Sequence, residues 1–200
     1  MMTNDIATAY GDVILVLEDT ARLRVSSVIL SSASPVFKIM FGPTFLEGQG
    51  KRSAESPKEV SLIDDDPTTM TRLYRLLHHQ LDQEFLNLFA TQAAASQRAQ
   101  ELYDLAVLSD KYNCTDSIKM PGGYLLSQFG LDSVSQSLPS DDLLALIYAA
   151  YTMGDCRYFA FFTRCLVLDA AFNYSTIVKH HVVANLPNSF LCKFLSRICL

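Results

Sequence analysis

The chain is 200 residues long, half of them hydrophobic and 18% charged, with a formal net charge of −5 and a pI near 5.3. That composition is apolar for a soluble monomer and can bury a sizeable core, and the charge argues against a nucleic-acid-binding surface, which needs clustered Lys and Arg. Five cysteines without a repeated short spacing exclude a secreted disulfide scaffold. With no signal peptide after Asp5, they place the expected compartment inside the cell, in cytoplasm or nucleus.

Met1 to Tyr10 reads as a loose N-terminal arm. The alternative is an arm that adds to a partner's sheet. Val13 to Leu17 reads as a strand with both faces apolar, hence mostly buried. Glu18-Asp19-Thr20-Ala21 is a polar turn, and Arg22 to Val25 returns as the second strand of a hairpin. Ser26 or Ser27 then caps a short helix through Ala33, with Val28, Ile29 and Leu30 as its inner side. Consecutive helical residues lie about 100° apart, so at least one of these three must look outward. Ser34 caps the next helix, Pro35 sits at its first position and Phe37 falls in its core. Gly42 is expected in the left-handed exit position.

Thr44 to Pro57 is rich in Gly, Ser and charge and reads as a surface loop. Lys58 to Leu62 is a short strand. Asp66 caps a helix that has Pro67 at its first position. Three adjacent aspartates, Asp64 to Asp66, lack the spacing of a calcium loop, so capping explains them better than a metal does. Met70, Leu73, Tyr74, Leu76 and Leu77 form the inner face of that helix, with Arg72 and Arg75 outside.

Residues 81–97 read as an insertion, with Phe85, Leu86, Leu88 and Phe89 able to form an extra helical turn. Arg98 to Tyr112 is an amphipathic helix with Leu102, Leu105, Ala106, Leu108 and Tyr112 inward. Asn113 is expected to cap the next helix, which Pro121-Gly122-Gly123 should kink or end near Met120. Leu131 to Pro139 is a Ser-rich connection. Helices from Ser140 to Tyr151, closed by Gly154, and from about Asp155 to Phe172 follow, both apolar nearly all round. Thr163-Arg164 and the short length disfavour a membrane span. Ser175 to Leu200 adds one or two helical pieces around Pro187.

The ordered run of Asp12, Leu23-Arg24-Val25, Val28-Ile29-Leu30, Ser34-Pro35-Val36-Phe37 and Met40-Phe41 resembles the opening of the BTB/POZ domain. The Ser-Pro pair and Phe41-Gly42-Pro43 look like the BTB proteins of filamentous fungi. The resemblance implies an α+β fold, a small sheet wrapped by helices, over 11–130. A helical segment over 138–200 weakly resembles the BACK extension. It also implies protein partners, the chain itself as a homodimer first among them. Members often dimerise by packing the first helix against its mate, which makes Val28, Ile29 and Met40 the candidate partner surface.

Many members pair the first-strand Asp with a basic residue just after the second strand, beside a His; this chain keeps Asp12 but has Ser26 and Ser27 there. Cullin-binding members use a hydrophobic-x-Glu pattern near the third helix, and Met70 to Gln80 contains no Glu. A cullin adaptor is therefore the second reading. An α/β-hydrolase-like enzyme is a third, and no nucleophile elbow is visible for it. No catalytic residue, cofactor or metal is expected. His78-His79 and His180-His181 are adjacent pairs that diverge on a helix, and Cys156, Cys165, Cys192 and Cys199 read as small buried hydrophobes.

Overall fold

The computed structural model describes residues 3–6, 10–17, 21–62, 64–80, 83–90, 95–129, 138–168, 182 and 186. The expected turn at 18–20, the connection 131–137, most of the pieces after 169, His180, His181, Cys192 and Cys199 lie outside them. The chain forms two compact units, 1–87 with 107–118, and 88–106 with 119–200.

In the first unit a four-stranded sheet has the order β1-β3-β2-β4. Strand β2 (Val13–Leu17) and β3 (Ala21–Val25) form the expected antiparallel hairpin, with Leu15 opposite Leu23. Strand β4 (Lys58–Ser61) adds parallel to β2, with Val60 opposite Leu15. Within the N-terminal arm, Thr3–Ile6 is not loose: it forms β1, which pairs parallel with β3 of its own sheet. It covers backbone groups that an edge strand would leave unpaired.

Val13, Leu15, Leu17, Leu23, Val25 and Val60 are all buried and supply the sheet's contribution to the core. The expectation that β2 is buried on both faces is corrected, since Ile14 and Val16 are only partly covered. They stand opposite Arg24 and Arg22, whose aliphatic stems can shield them while the guanidinium heads reach polar partners. Arg22 pairs with Glu59 and Arg24 donates to the Gly11 carbonyl at 2.9 Å. Gly11 is glycine for want of room, because a Cβ there would lie 2.5 Å from the Val25 carbonyl oxygen.

Helices α1 (Ser27–Ala33) and α2 (Pro35–Met40) meet at Ser34. Its N–H closes α1 on the Leu30 carbonyl, its hydroxyl accepts from the Phe37 N–H at 3.1 Å, and the same hydroxyl donates to the Tyr112 carbonyl. Gly42 is not left-handed; a side chain there would crowd the Ile39 carbonyl oxygen at 3.1 Å. Helix α3 (Pro67–Leu77) starts as expected, with Asp66 accepting from the Thr69 N–H at 2.7 Å and the Thr69 hydroxyl at 2.8 Å. Met70, Leu73, Tyr74 and Leu77 face the core, and Leu76 is half-buried.

Asp65 has a different role from Asp66. It is buried, accepts from the Tyr112 hydroxyl and pairs with Lys111 Nζ at 2.7 Å.

Helix α4 (Gln83–Ala90) occupies part of the expected insertion, with Phe85 and Phe89 buried. Helix α5 (Ala95–Lys111) buries the predicted Leu102, Leu105, Ala106 and Leu108. Asn113 does not cap the following helix. It takes φ +49 and ends α5, its N–H on the Asp110 carbonyl and the Cys114 N–H on the Ser109 carbonyl. Asn tolerates the left-handed region because its short polar side chain bonds locally. The same two-bond ending recurs at His79 (φ 55) after α3 and at Gly154 (φ 71).

Helix α6 (Thr115–Ser127) runs through Pro121 instead of ending near Met120. Proline forfeits one helical hydrogen bond, but Leu125 and Leu126 are buried and hold the second half in place. Gly122 lets the helix lie against Met153, whose sulfur would be 2.3 Å from a Cβ. In the second unit α7 (Ser140–Thr152) and α8 (Cys156–Leu168) form a hairpin through Gly154. Leu143 to Ala150 are all buried, as an all-round apolar helix requires. Helix α8 buries only the stripe Tyr158, Phe162 and Leu166. The expected burial of Cys156 is corrected, for it is exposed at the start of α8 and Cys165 is half-buried.

Candidate interaction surface

Helices α1 and α2 carry an inverted polarity. Ser27, Leu30, Ser34 and Phe37 point inward. Helical geometry, about 100° per residue, then turns Val28, Ile29 and Ile39 away from the core. Val28 is 75% exposed, Ile29 37% and Ile39 60%, while Met40 is half-buried. The expected inner placement of Val28 and Ile29 is therefore corrected, and Leu30 alone of the three is inside. Ile39 was not singled out from the sequence. The signal was available: it lies about 200° round the helix from Phe37.

The inward serines are explained by what fixes the start of α1. Asp12, just before β2, accepts from the Ser27 N–H at 2.8 Å and from the Ser27 hydroxyl at 2.6 Å. Arg52, from the loop after α2, reaches the same carboxylate with Nε at 3.2 Å and the Phe41 carbonyl with Nη2 at 3.2 Å, and its guanidinium lies over the Phe41 ring. Burial pushes the Asp12 carboxyl up, yet the Ser27 bonds and Arg52 together hold it below the usual carboxylate range. So the cation beside Asp12 comes here from Arg52, in the loop after α2, and not from just after the second strand. A histidine from the end of α3 also reaches the start of α1: the Ser26 N–H donates to His78 Nε2 at 3.0 Å, and His78 Nδ1 donates to the Tyr74 carbonyl at 2.8 Å.

This arrangement needs a neutral His78, because a protonated ring has no acceptor for the Ser26 N–H. Burial lowers its pKa from 6.5 and the neighbouring His79 adds to that, against the pull of the Tyr74 carbonyl. The unfolded chain then binds more protons than the folded one as pH falls through about 6.5, so stability is full above that value and declines below it. Denaturant midpoints measured from about pH 7.5 down to about pH 5.5 should fall, and His78→Gln should flatten the trend. A wild-type midpoint constant over that range would contradict the assignment.

No described helix is long and apolar enough to cross a membrane. Cys114 is buried, which pushes its thiol up to about 12 and leaves it protonated.

The small sheet with its surrounding helices is an α+β arrangement, and the BTB/POZ domain family model matches residues 4–120, more than half of the chain. The chain belongs to the BTB/POZ domain family, whose members are protein–protein interaction domains. No curated protein matches it.

Proposed function

We propose that this chain is a non-enzymatic assembly domain that binds a second copy of itself through the exposed side of α1 and α2. The observation that carries the reading is the reversed polarity there: Ser27 and Ser34 buried, Val28, Ile29 and Ile39 exposed. Apolar side chains presented on consecutive helices, with Met40 beside them, suit a two-fold contact in which each patch meets its own copy. Ser32, exposed on α1 one turn after Val28 and Ile29, lies on the same face and makes it more polar. The apolar α7–α8 pair supports reading 138–200 as a BACK-like extension of a fungal-type BTB domain over 11–130. The free thiols of Cys114 and Cys156 suit a reducing, intracellular setting.

Because a two-fold interface counts each substitution twice, Val28→Asp with Ile39→Asp should weaken self-association by at least about tenfold, or about 1.4 kcal/mol. At concentrations low enough to keep the wild type monomeric, the melting temperature of the variant should stay near it, since both side chains are exposed in the single chain. Unchanged association would remove α1 and α2 from the interface. A wild-type chain that stays monomeric yet captures a cullin would favour the adaptor reading instead.

A further inference from the structure

The loop between α2 and β4 is held in place by side chains reaching its carbonyls. Arg24 donates to the Ala54 carbonyl, and Lys58 Nζ to the Leu46 carbonyl and, at 2.6 Å, to the Gln49 carbonyl. Within it lies an open groove of about 620 Å³, lined by Gly48, Gly50, Lys51, Arg52, Ser53 and Ser56. Its charged lining is of one sign, two cations and no carboxylate. Lys51 is exposed and pairs with no acid among the described residues. Arg52 uses Nε and Nη2 on Asp12 and Phe41, while its Nη1 is buried without a hydrogen-bond partner. At Gly50, φ +88, nothing lies within 4 Å of where a Cβ would stand, so the groove stays open there.

Two hydroxyls border this cationic groove, and they differ. Ser53 Oγ is engaged, accepting from the Ser56 N–H at 3.2 Å, and it also faces the Glu55 carboxylate. Ser56 is exposed and is followed by Pro57. Proline biases the residue before it toward extended backbone, and a Ser-Pro pair in an exposed loop is the element a proline-directed kinase reads.

We propose that Ser56 is a phosphorylation site for a proline-directed serine/threonine kinase, and that Lys51 and Arg52 receive its phosphate in the groove. In the transfer Ser56 Oγ attacks the γ-phosphorus of kinase-bound ATP. The new Oγ–P bond forms as the P–O bond to ADP breaks, the hydroxyl proton passes to the kinase's carboxylate base, and ADP leaves. The product carries a charge of about −1.5 to −2 and three acceptor oxygens. The exposed Lys51 ammonium is the donor within reach of such a group, and Arg52, which lines the same groove, adds its positive charge. Since Arg52 also holds Asp12, and Asp12 holds Ser27, the modified loop is tied to the start of α1.

The test uses the full chain with a proline-directed kinase and ATP. Peptide mapping by mass spectrometry should find one phosphate on Ser56, lost in Ser56→Ala. A 31P NMR titration should then show the second phosphate pKa in the folded protein below its unfolded value of about 6, by about half a unit or more. Lys51→Ala should shrink that difference. Absence of phosphate at Ser56, equal pKa values in folded and denatured protein, or a difference indifferent to Lys51→Ala would each overturn the proposal.

Discussion

Phe37→Ala should destabilise the protein by about 3–5 kcal/mol, a large share of the roughly 5–15 kcal/mol that holds an ordinary domain folded. The ring is fully buried. It stacks on Tyr112 with centroids 4.5 Å apart, lies 5.9 Å from Phe41 and meets Tyr74 tilted at 5.7 Å. Truncation therefore removes one ring's transfer energy and also leaves three aromatic neighbours facing a cavity they cannot readily close. Its direction is fixed by the Ser34 cap and by Pro35, so the chain has no cheap way to turn another residue inward. The measurement is the denaturant midpoint at unchanged slope. A shift below about 1 kcal/mol would show that this cluster is not the core of the unit.

Asp65→Ala should cost about 2–3 kcal/mol, nearly all of it through Tyr112. The Asp65 carboxylate is 5% exposed and is the acceptor for the Tyr112 hydroxyl. Removing it leaves that hydroxyl buried without its partner, the expensive way to lose a hydrogen bond. Lys111, half exposed, contributes less because solvent screens its pairing. Burial first, and the bond to Asp65 second, push the Tyr112 phenol far up, so it remains a donor at any ordinary pH. Asp65→Asn keeps an acceptor and should recover about half the loss. In a double-mutant cycle Tyr112→Phe should make Asp65→Ala markedly cheaper, and strict additivity would sink the account.

These two residues differ in how far the sequence announces them. Phe37 follows from local chemistry alone: Ser34 and Pro35 mark the start of a helix, and periodicity then sends Phe37 inward. The hairpin, the Asp66 cap, the inner face of α5 and the Gly154 stop are legible for the same reason, since each is set within a turn or two of chain. Asp65 is not legible, because its partners Lys111 and Tyr112 arrive from another helix. The same holds for Arg52 and His78, which serve Asp12 and Ser26 across long stretches of chain. Pro121 misled because its local cost is real but is overridden by the packing of Leu125 and Leu126 on the far side. Of the candidate surface, Val28 and Ile29 were reachable from the family resemblance, and the structure leaves them exposed even though helix reading had set them inward.

The network beneath that surface also explains how a short helix can present apolar side chains without turning them into the core. Seven residues are too few for α1 to be stable by its own hydrogen bonds. Asp12 and His78 take the Ser27 and Ser26 N–H groups, and Leu30 anchors the middle, so Val28 and Ile29 are not needed for folding.

The most direct test of self-assembly is multi-angle light scattering on the wild-type chain across a concentration series, with Val28→Asp/Ile39→Asp run beside it. The account predicts a mass rising toward twice the 22.3 kDa of one chain for the wild type, and a return toward the single-chain mass for the variant. A wild-type mass fixed at one chain up to tens of micromolar, with solubility intact, would contradict it.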